Sequence, residues 1–274
     1  MSTEAFDAGE LGRQSAYVDT YTPSLLNSIP REVTRREAGI NADALVGEDV
    51  WTAYEFSWVN TQGKPISCGL RLRVACQSRT IIESKSLKLY LMSFANTKFA
   101  SRADVLKTLD QDLAVGFRAP VMVELLDIAH MESTTGQMPG RCLDEQDVRC
   151  TVYQKDGNLL VPAESETHVR EAVYTHLFRT LCPVTGQPDC ASVAIEYSGP
   201  PIDEAGLLKY LVSYRNHPGF HETAIETIFC DLRAAYELQS LSVYGRFQRR
   251  GGLDINPFRS TVETSAPIYR IARQ

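Results

Sequence analysis

The chain reads as an α+β protein built from two copies of one unit, each an antiparallel sheet with two helices packed on one face. Three observations lead there. The order strand, strand, helix, helix, strand occurs twice along the sequence. Tyr90-Leu91-Met92-Ser93-Phe94-Ala95-Asn96 is echoed by Tyr210-Leu211-Val212-Ser213-Tyr214-Arg215-Asn216, and the helix after each carries Asp-Leu late in it, at Asp112-Leu113 and Asp231-Leu232. Between the copies, residues 131–167 are polar and punctuated by Gly136, Pro139, Gly140, Gly157 and Pro162. These features divide the chain into an arm (1–48), a first unit (49–135), a linker (136–167) and a second unit (168–274).

The arm has little periodicity, and Tyr21 to Pro30 reads as extended chain with two proline punctuations. Trp51 to Val59 is rich in aromatic and β-branched residues, Thr61 to Pro65 is a turn, and Ser67 to Ala75 alternates, which together predict a hairpin. Arg79 to Ile82 is a short third strand. Leu87, Tyr90, Leu91 and Phe94 recur at helical spacing behind a cap at Ser84 or Ser86, and Ser101 with Asp104 opens a second helix through Leu113. Pro120 to Ile128 is a fourth strand. In the second unit, His168 to Phe178 and Ala191 to Tyr197 are strands, Glu204 to Tyr214 and Phe220 to Tyr236 contain helices, and Leu241 to Phe247 is the last strand.

The 274 residues, 43% hydrophobic and 23% charged, can bury a core without disulfides or metals. A net charge of -6 argues against a protein held to nucleic acid by bulk electrostatics. No apolar run is long enough for a membrane span, and the polar, acidic N-terminus lacks the features of a signal peptide, so a cytoplasmic protein is expected. Seven cysteines, with no Cys-x-x-Cys pair, suit reduced thiols.

Chemistry concentrates in a few places. Cys182 lies in a Pro/Gly-bounded turn, with Asp189 able to return to it across that turn; a thiolate with an acid or base at hand is a nucleophile, and a turn Cys beside a turn Asp is the plainer alternative. His221-Glu222 follows a Pro-Gly bend and is either a proton-moving, base-reading pair or a helix-capping one. His217 and His221 with Cys182 raise a zinc site, which Pro218-Gly219 opposes. Glu83-Ser84-Lys85 can recognise substrate through Glu83 and bind phosphate through Lys85 and the helix N–H groups, or is a solvated first turn. Arg246, Arg249 and Arg250 with Gly251-Gly252 form a basic cluster suited to phosphate. No Gly-x-Gly-x-x-Gly follows a strand, so no Rossmann domain is expected.

These segments together resemble the NADPH-dependent 7-cyano-7-deazaguanine reductases, the nitrile reductases of queuosine synthesis, in their long two-module form. Glu83 to Tyr90 matches the hallmark Glu-Ser-Lys-Ser-x-Lys-x-Tyr, Cys182 to Asp189 the nucleophile segment, and Phe220-His221-Glu222 and Arg249 to Pro257 two further motifs. One departure is Cys190, where an aromatic residue is common in relatives; it places a second thiol near the site. The resemblance implies tandem tunnelling-fold units, a homodimer, and active sites at unit interfaces. It implies that Cys182 attacks the nitrile to give a thioimide, with Asp189 managing the proton and His221 assisting. It assigns Ile82, Glu83, Ser84, His221 and Glu222 to the substrate, Ser84, Lys85, Arg250 and Gly251 to NADPH, and no metal. Two competing readings are a zinc-dependent cyclohydrolase-like enzyme on the same fold and a non-catalytic purine- or pterin-binding scaffold.

Overall fold

A computed structural model describes residues 18–42, 45–132, 135–162 and 167–274; residues 1–17 of the arm and 163–166 of the linker lie outside the described residues. In chain order the elements are β1 (Ser28–Pro30), α1 (Arg31–Ala38), β2 (Gly47–Val59), β3 (Pro65–Ala75), β4 (Thr80–Ile82), α2 (Ser84–Met92), α3 (Arg102–Phe117), β5 (Val121–Leu126), α4 (Ile128–Glu132), β6 (Arg141–Cys142), β7 (Val169–Leu181), β8 (Pro188–Gly199), α5 (Glu204–Ser213), α6 (His221–Ala235), β9 (Ser240–Phe247) and β10 (Leu253–Ser260).

The strands of both halves join in one eight-stranded sheet of order β5-β3-β2-β10-β9-β8-β7-β6, antiparallel except for the two-residue parallel pairing of β6 with β7. The seam is β2 against β10, in register from Leu253↔Ala53 to Arg259↔Gly47. Three expectations change. The stretch read as a third strand, now β4, leaves the main sheet and pairs with β1, because the arm supplies it a partner. Phe247 does not end the last strand: β10 follows, hidden in the sequence by Asp254, Asn256, Pro257 and Arg259, all of which are buried. The arm also holds a helix, α1, whose residues Arg31, Thr34 and Arg35 are buried although its sequence is almost entirely polar.

The helices cover one face over two apolar cores. Leu87, Tyr90, Phe94, Leu109, Leu113 and Phe117 pack on β2 and β3; Leu207, Leu211, Tyr214, Ile225, Phe229 and Leu232 pack on β7 to β9. Strand alternation sends Val50, Tyr244 and Phe258 to the other face, where they meet Ala266 and Ile271 of the returning C-terminal segment. The internal repeat is carried into side-chain detail. Tyr90 donates to Asp112 Oδ2 at 2.7 Å, and Tyr210 donates to Asp231 Oδ2 at 2.7 Å. Ser93 and Ser213 each donate to the carbonyl three residues back at 2.6 Å. The register of β2 on β3 shifts between Ala53 and Phe56, and that of β7 on β8 between Thr175 and Phe178.

At the seam, between the two cores, lies a buried set of charges. Glu226 of α6 receives Arg35 Nε at 2.9 Å and NH2 at 2.6 Å, and Arg259 NH2 of β10 at 2.7 Å. Asp49 of β2 pairs with Arg31 NH2 and with Arg259 NH1, the latter at 2.8 Å. Arg31 also donates to Ser78 Oγ at 2.9 Å and Arg35 to the Cys76 carbonyl at 2.7 Å. Burial alone would raise both acids, but Arg259 with Arg31 at Asp49, and Arg259 with Arg35 and Arg31 at Glu226, hold both carboxyls below their ordinary values.

Removing one member strands the others without water. Arg259→Met is expected to lower stability by about 3–5 kcal/mol, read by urea unfolding at neutral pH. Because Asp49 and Glu226 titrate lower in the folded chain than in the unfolded one, their contribution is full above the unfolded values, near pH 4, and is lost as pH falls through the folded ones. The loss of stability on acidification should therefore be shallower in Arg259→Met than in the parent chain.

Candidate active site

The turn from β7 into β8 is closed by Cys182 N donating to the Gln187 carbonyl at 2.8 Å and Gly186 N donating to the Cys182 carbonyl at 2.9 Å. Gly186 sits at φ +67°, a conformation that suits glycine at little cost. Leu181 N then donates to the His217 carbonyl and Gly219 N to the Leu181 carbonyl, both at 3.0 Å. This short parallel pairing brings the Pro218-Gly219 bend alongside the cysteine and starts α6 over it. The helix begins with His221 and Glu222, both buried.

Asp189, the second residue of β8, is only 1% exposed. His221 Nε2 stands 3.4 Å from its Oδ2 without hydrogen-bond geometry, and the imidazole is stacked on Phe247 at 3.8 Å between ring centres. The turn between β9 and β10 brings Arg250 to the same carboxylate: Nε is 3.2 Å from Oδ1 and NH1 donates to Oδ2 at 3.3 Å. Asp189 is thus a buried acid facing a guanidinium on one side and an imidazole on the other.

The first half contributes through β4. Glu83 N donates to the Asn27 carbonyl at 2.9 Å, continuing the β1 pairing and fixing where α2 starts. Glu83 caps that helix itself, accepting from Lys85 N and Ser86 N at 2.8 Å and from Ser84 Oγ at 3.3 Å. The sequence reading assigned these helix N–H groups to a phosphate; two of them are taken by Glu83. Burial pushes the Glu83 carboxyl up, against the pull of the two backbone N–H groups. Glu222 is also pushed up, first by burial and then by the charge of Asp49, with Arg31 and His221 pulling the other way.

One cleft gathers Ile82, Glu83, Ser84, Cys182, Asp189, His221, Glu222 and Arg250. Trp51 and Ile255 from the seam strands and Phe220 line it as well; sequence reading took Trp51 only as a strand residue and gave Ile255 and Phe220 no separate role. Gly251 lies instead on a second, larger cleft of about 370 Å³, with Lys88, Leu91, Met92 and Gly252. Lys85 is on the wall of neither. Of the basic cluster, only Arg250 reaches Asp189. Arg246 is buried and donates to Gln274 Oε1 at 3.0 and 2.7 Å, and Arg249 lies over the Tyr54 ring at 4.6 Å.

The zinc arrangement does not form. Among the described residues no three His, Cys, Asp or Glu side chains group as ligands, and the His217 ring packs against Tyr214 at 5.5 Å. Cys190 follows Asp189 directly in β8, so strand alternation turns its side chain to the opposite face of the sheet.

Comparison with known proteins gives a consistent result. Residues 17–125 match a family model described as "Nitrile reductase, 7-cyano-7-deazaguanine-reductase N-term", and residues 188–266 match one described as "QueF-like protein". A protein of Dechloromonas aromatica (strain RCB) named NADPH-dependent 7-cyano-7-deazaguanine reductase is 46% identical over 263 residues, covering 95% of this chain and 93% of that one. One of the same name from Delftia acidovorans is 43% identical over 278 residues, covering 98% and 99%. The crystal structure of the apo archaeosine synthase QueF-Like aligns with 38% of this chain and 100% of that chain, at 19% identity and a TM-score of 0.31.

Glu83 serves two masters, the helix cap and the cleft. Glu83→Ala leaves the N–H groups of Lys85 and Ser86 without their acceptor and is expected to cost about 1–3 kcal/mol of stability in urea unfolding. Glu83→Gln keeps an acceptor for them and should recover most of that loss.

Proposed function

The chain belongs to the 7-cyano-7-deazaguanine reductase family, and we propose from that premise that it reduces the nitrile of 7-cyano-7-deazaguanine to the aminomethyl group, using NADPH, in tRNA queuosine synthesis. The observation that carries the reading is the convergence of Cys182, Asp189 and His221 with Glu83 and Glu222 in one cleft, although their motifs are dispersed along the sequence.

The donor set fits the substrate. A deazaguanine presents ring N–H and amino donors, and Glu83 and Glu222 are buried acceptors placed to receive them. With the base held, the Cys182 sulfur adds to the nitrile carbon. The thiol proton passes by way of Asp189 to the nitrile nitrogen, so the adduct is a neutral thioimide and no atom is left over. Asp189 is suited to this because Arg250 holds it in place while His221 stands beside it as a second proton carrier. The thioimide carbon is a better hydride acceptor than the nitrile. Two two-electron reductions and two protons complete the amine and return the thiol.

The cofactor side also fits. We assign Ser84, Lys85, Arg250 and Gly251 to NADPH, with Lys88 added from the larger cleft. Gly251 lies at φ +61°, and a Cβ there would come within 2.7 Å of Lys88 Cδ, so the bare backbone lets the lysine approach the turn. The Lys88 ammonium beside apolar Leu91 and Met92 suits a nucleotide with phosphates and rings, and Glu55 is the one acid on that wall. Bound there, NADPH supplies the hydrides. The reading includes a homodimer and a cytoplasmic location. The outer edge of β5 has no strand partner among the described residues, and no described helix is long and apolar enough to cross a membrane.

Incubation with 7-cyano-7-deazaguanine without NADPH should give a mass increase of one substrate per chain, located on Cys182 by peptide mapping and absent from Cys182→Ala. Labelling on Cys190 instead would move the nucleophile. With cofactor, about two NADPH should be oxidised per nitrile consumed; a ratio of one would defeat the four-electron account.

A further inference from the structure

The cleft is well supplied with acceptors and poor in free side-chain donors. Glu83, Asp189 and Glu222 contribute carboxyl groups, the Arg250 guanidinium is turned to Asp189, and Ser84 Oγ donates to Glu83. Among the described residues that line the cleft, few buried polar side-chain atoms lack a hydrogen-bond partner: the two ring nitrogens of His221, Asp189 Oδ1 and Trp51 Nε1. Asp189 Oδ1 has Arg250 Nε at 3.2 Å, and His221 Nε2 has Asp189 at 3.4 Å. The Trp51 indole N–H has neither kind of neighbour, though the residue is 2% exposed. A buried donor left unpaired costs free energy, and indole N–H can only donate.

Nor is the ring free to turn away. Trp51 stands in β2 between Ile255 of β10 and Leu72 of β3, in register with both. Its face is held edge-on to Phe117 at 6.2 Å and 70°. The strand, the seam and α3 thus hold the ring in place before any ligand arrives.

A guanine-type base has acceptors as well as donors, and carboxylates cannot satisfy them. We propose that Trp51 is a substrate-recognition residue whose Nε1–H donates to the carbonyl oxygen of the deazaguanine. Glu83 and Glu222 then read the donors of the base and Trp51 reads its carbonyl. The inference rests on the nitrile-reductase reading and goes beyond it by adding a specificity determinant on a strand that none of the family motifs includes.

The test compares parent chain and Trp51→Phe, which keeps an aromatic ring against Phe117 and removes the N–H together with the rest of the five-membered ring of the indole. With 7-cyano-7-deazaguanine, KM should rise roughly tenfold while kcat stays within about threefold. The analogue 2-amino-7-cyano-7-deazapurine, which lacks the carbonyl oxygen and with it the N1–H, should bind the parent chain more weakly and lose nothing further in Trp51→Phe. An unchanged KM, or an equal penalty for both ligands, overturns the proposal. Should the variant melt early, the indole proton signal of Trp51 in the parent chain, assigned with Trp58→Phe, gives a second reading. It should move downfield on saturation with the nitrile, and a signal that stays put overturns the proposal as well. Failure of the underlying reading looks different: the parent chain itself would then form no Cys182 adduct.

Discussion

Everything in the site hangs on the burial of Glu226 between two arginines. Arg35 reaches it from the arm and Arg259 from β10, and Arg259 in turn bridges to Asp49 on β2, where Arg31 closes the set. Charges removed from water repay their desolvation only if every one is paired. The arm, the seam strands and α6 must therefore reach their native positions together. Glu222 lies one helical turn before Glu226, so the ion cluster that anchors α6 also decides where His221 and Glu222 stand. It acts on Glu222 electrically as well, since Asp49 and Arg31 are among the charges that set its proton affinity.

The arm is part of the same construction at the other end of the cleft. Its β1 pairs with β4, and Asn27 receives the Glu83 N–H that begins α2. Tyr21 donates to Asp112 Oδ2 at 2.7 Å and packs edge-on to Phe94. A segment with little hydrophobic pattern of its own thereby places Glu83 directly and Glu222 through Arg31 and Arg35.

Much of this was legible in the sequence, and the pattern of what was not has a physical cause. The helices and long strands announced themselves because their buried positions are apolar at the right period, as with Leu87, Tyr90, Leu91 and Phe94. The cysteine, the Glu-Ser-Lys stretch and the His-Glu pair stood out as reactive residues at turns and helix starts. What stayed hidden was polar residue burial. α1 and β10 are secured by arginine and carboxylate contacts between residues far apart in sequence, such as Arg35 with Glu226, and periodicity counts such residues as solvent-facing. Trp51 was hidden for the opposite reason: it fits its strand so well that packing accounts for it until the unpaired N–H is considered. The capping role of Glu83 was hidden as well: its side chain folds back on the N–H groups of Lys85 and Ser86, a contact that the sequence pattern of a Ser cap does not announce.

The duplication explains why the site must be shared. Each half keeps the framework, down to the Tyr–Asp bonds and the serines that close the ends of α2 and α5, but the two copies diverge at equivalent corners. At the start of α5, Asp203 caps Gly206 N, a short side chain spent on the helix alone. At the start of α2, Glu83 caps and still faces the cleft. Between β2 and β3 the turn is an ordinary one organised by Asn60, whereas between β7 and β8 it carries Cys182. The first half brings Glu83 to the cleft and the second brings Cys182, Asp189, His221 and Glu222, so the complete cleft requires the halves to be fixed against each other. The β2–β10 seam supplies that rigidity, and it does so with strands whose inward residues, Asp49, Trp51, Ile255 and Arg259, divide between bracing the seam and lining the cleft. A change that loosens the seam would therefore spoil catalysis without touching any residue that bonds to the nitrile.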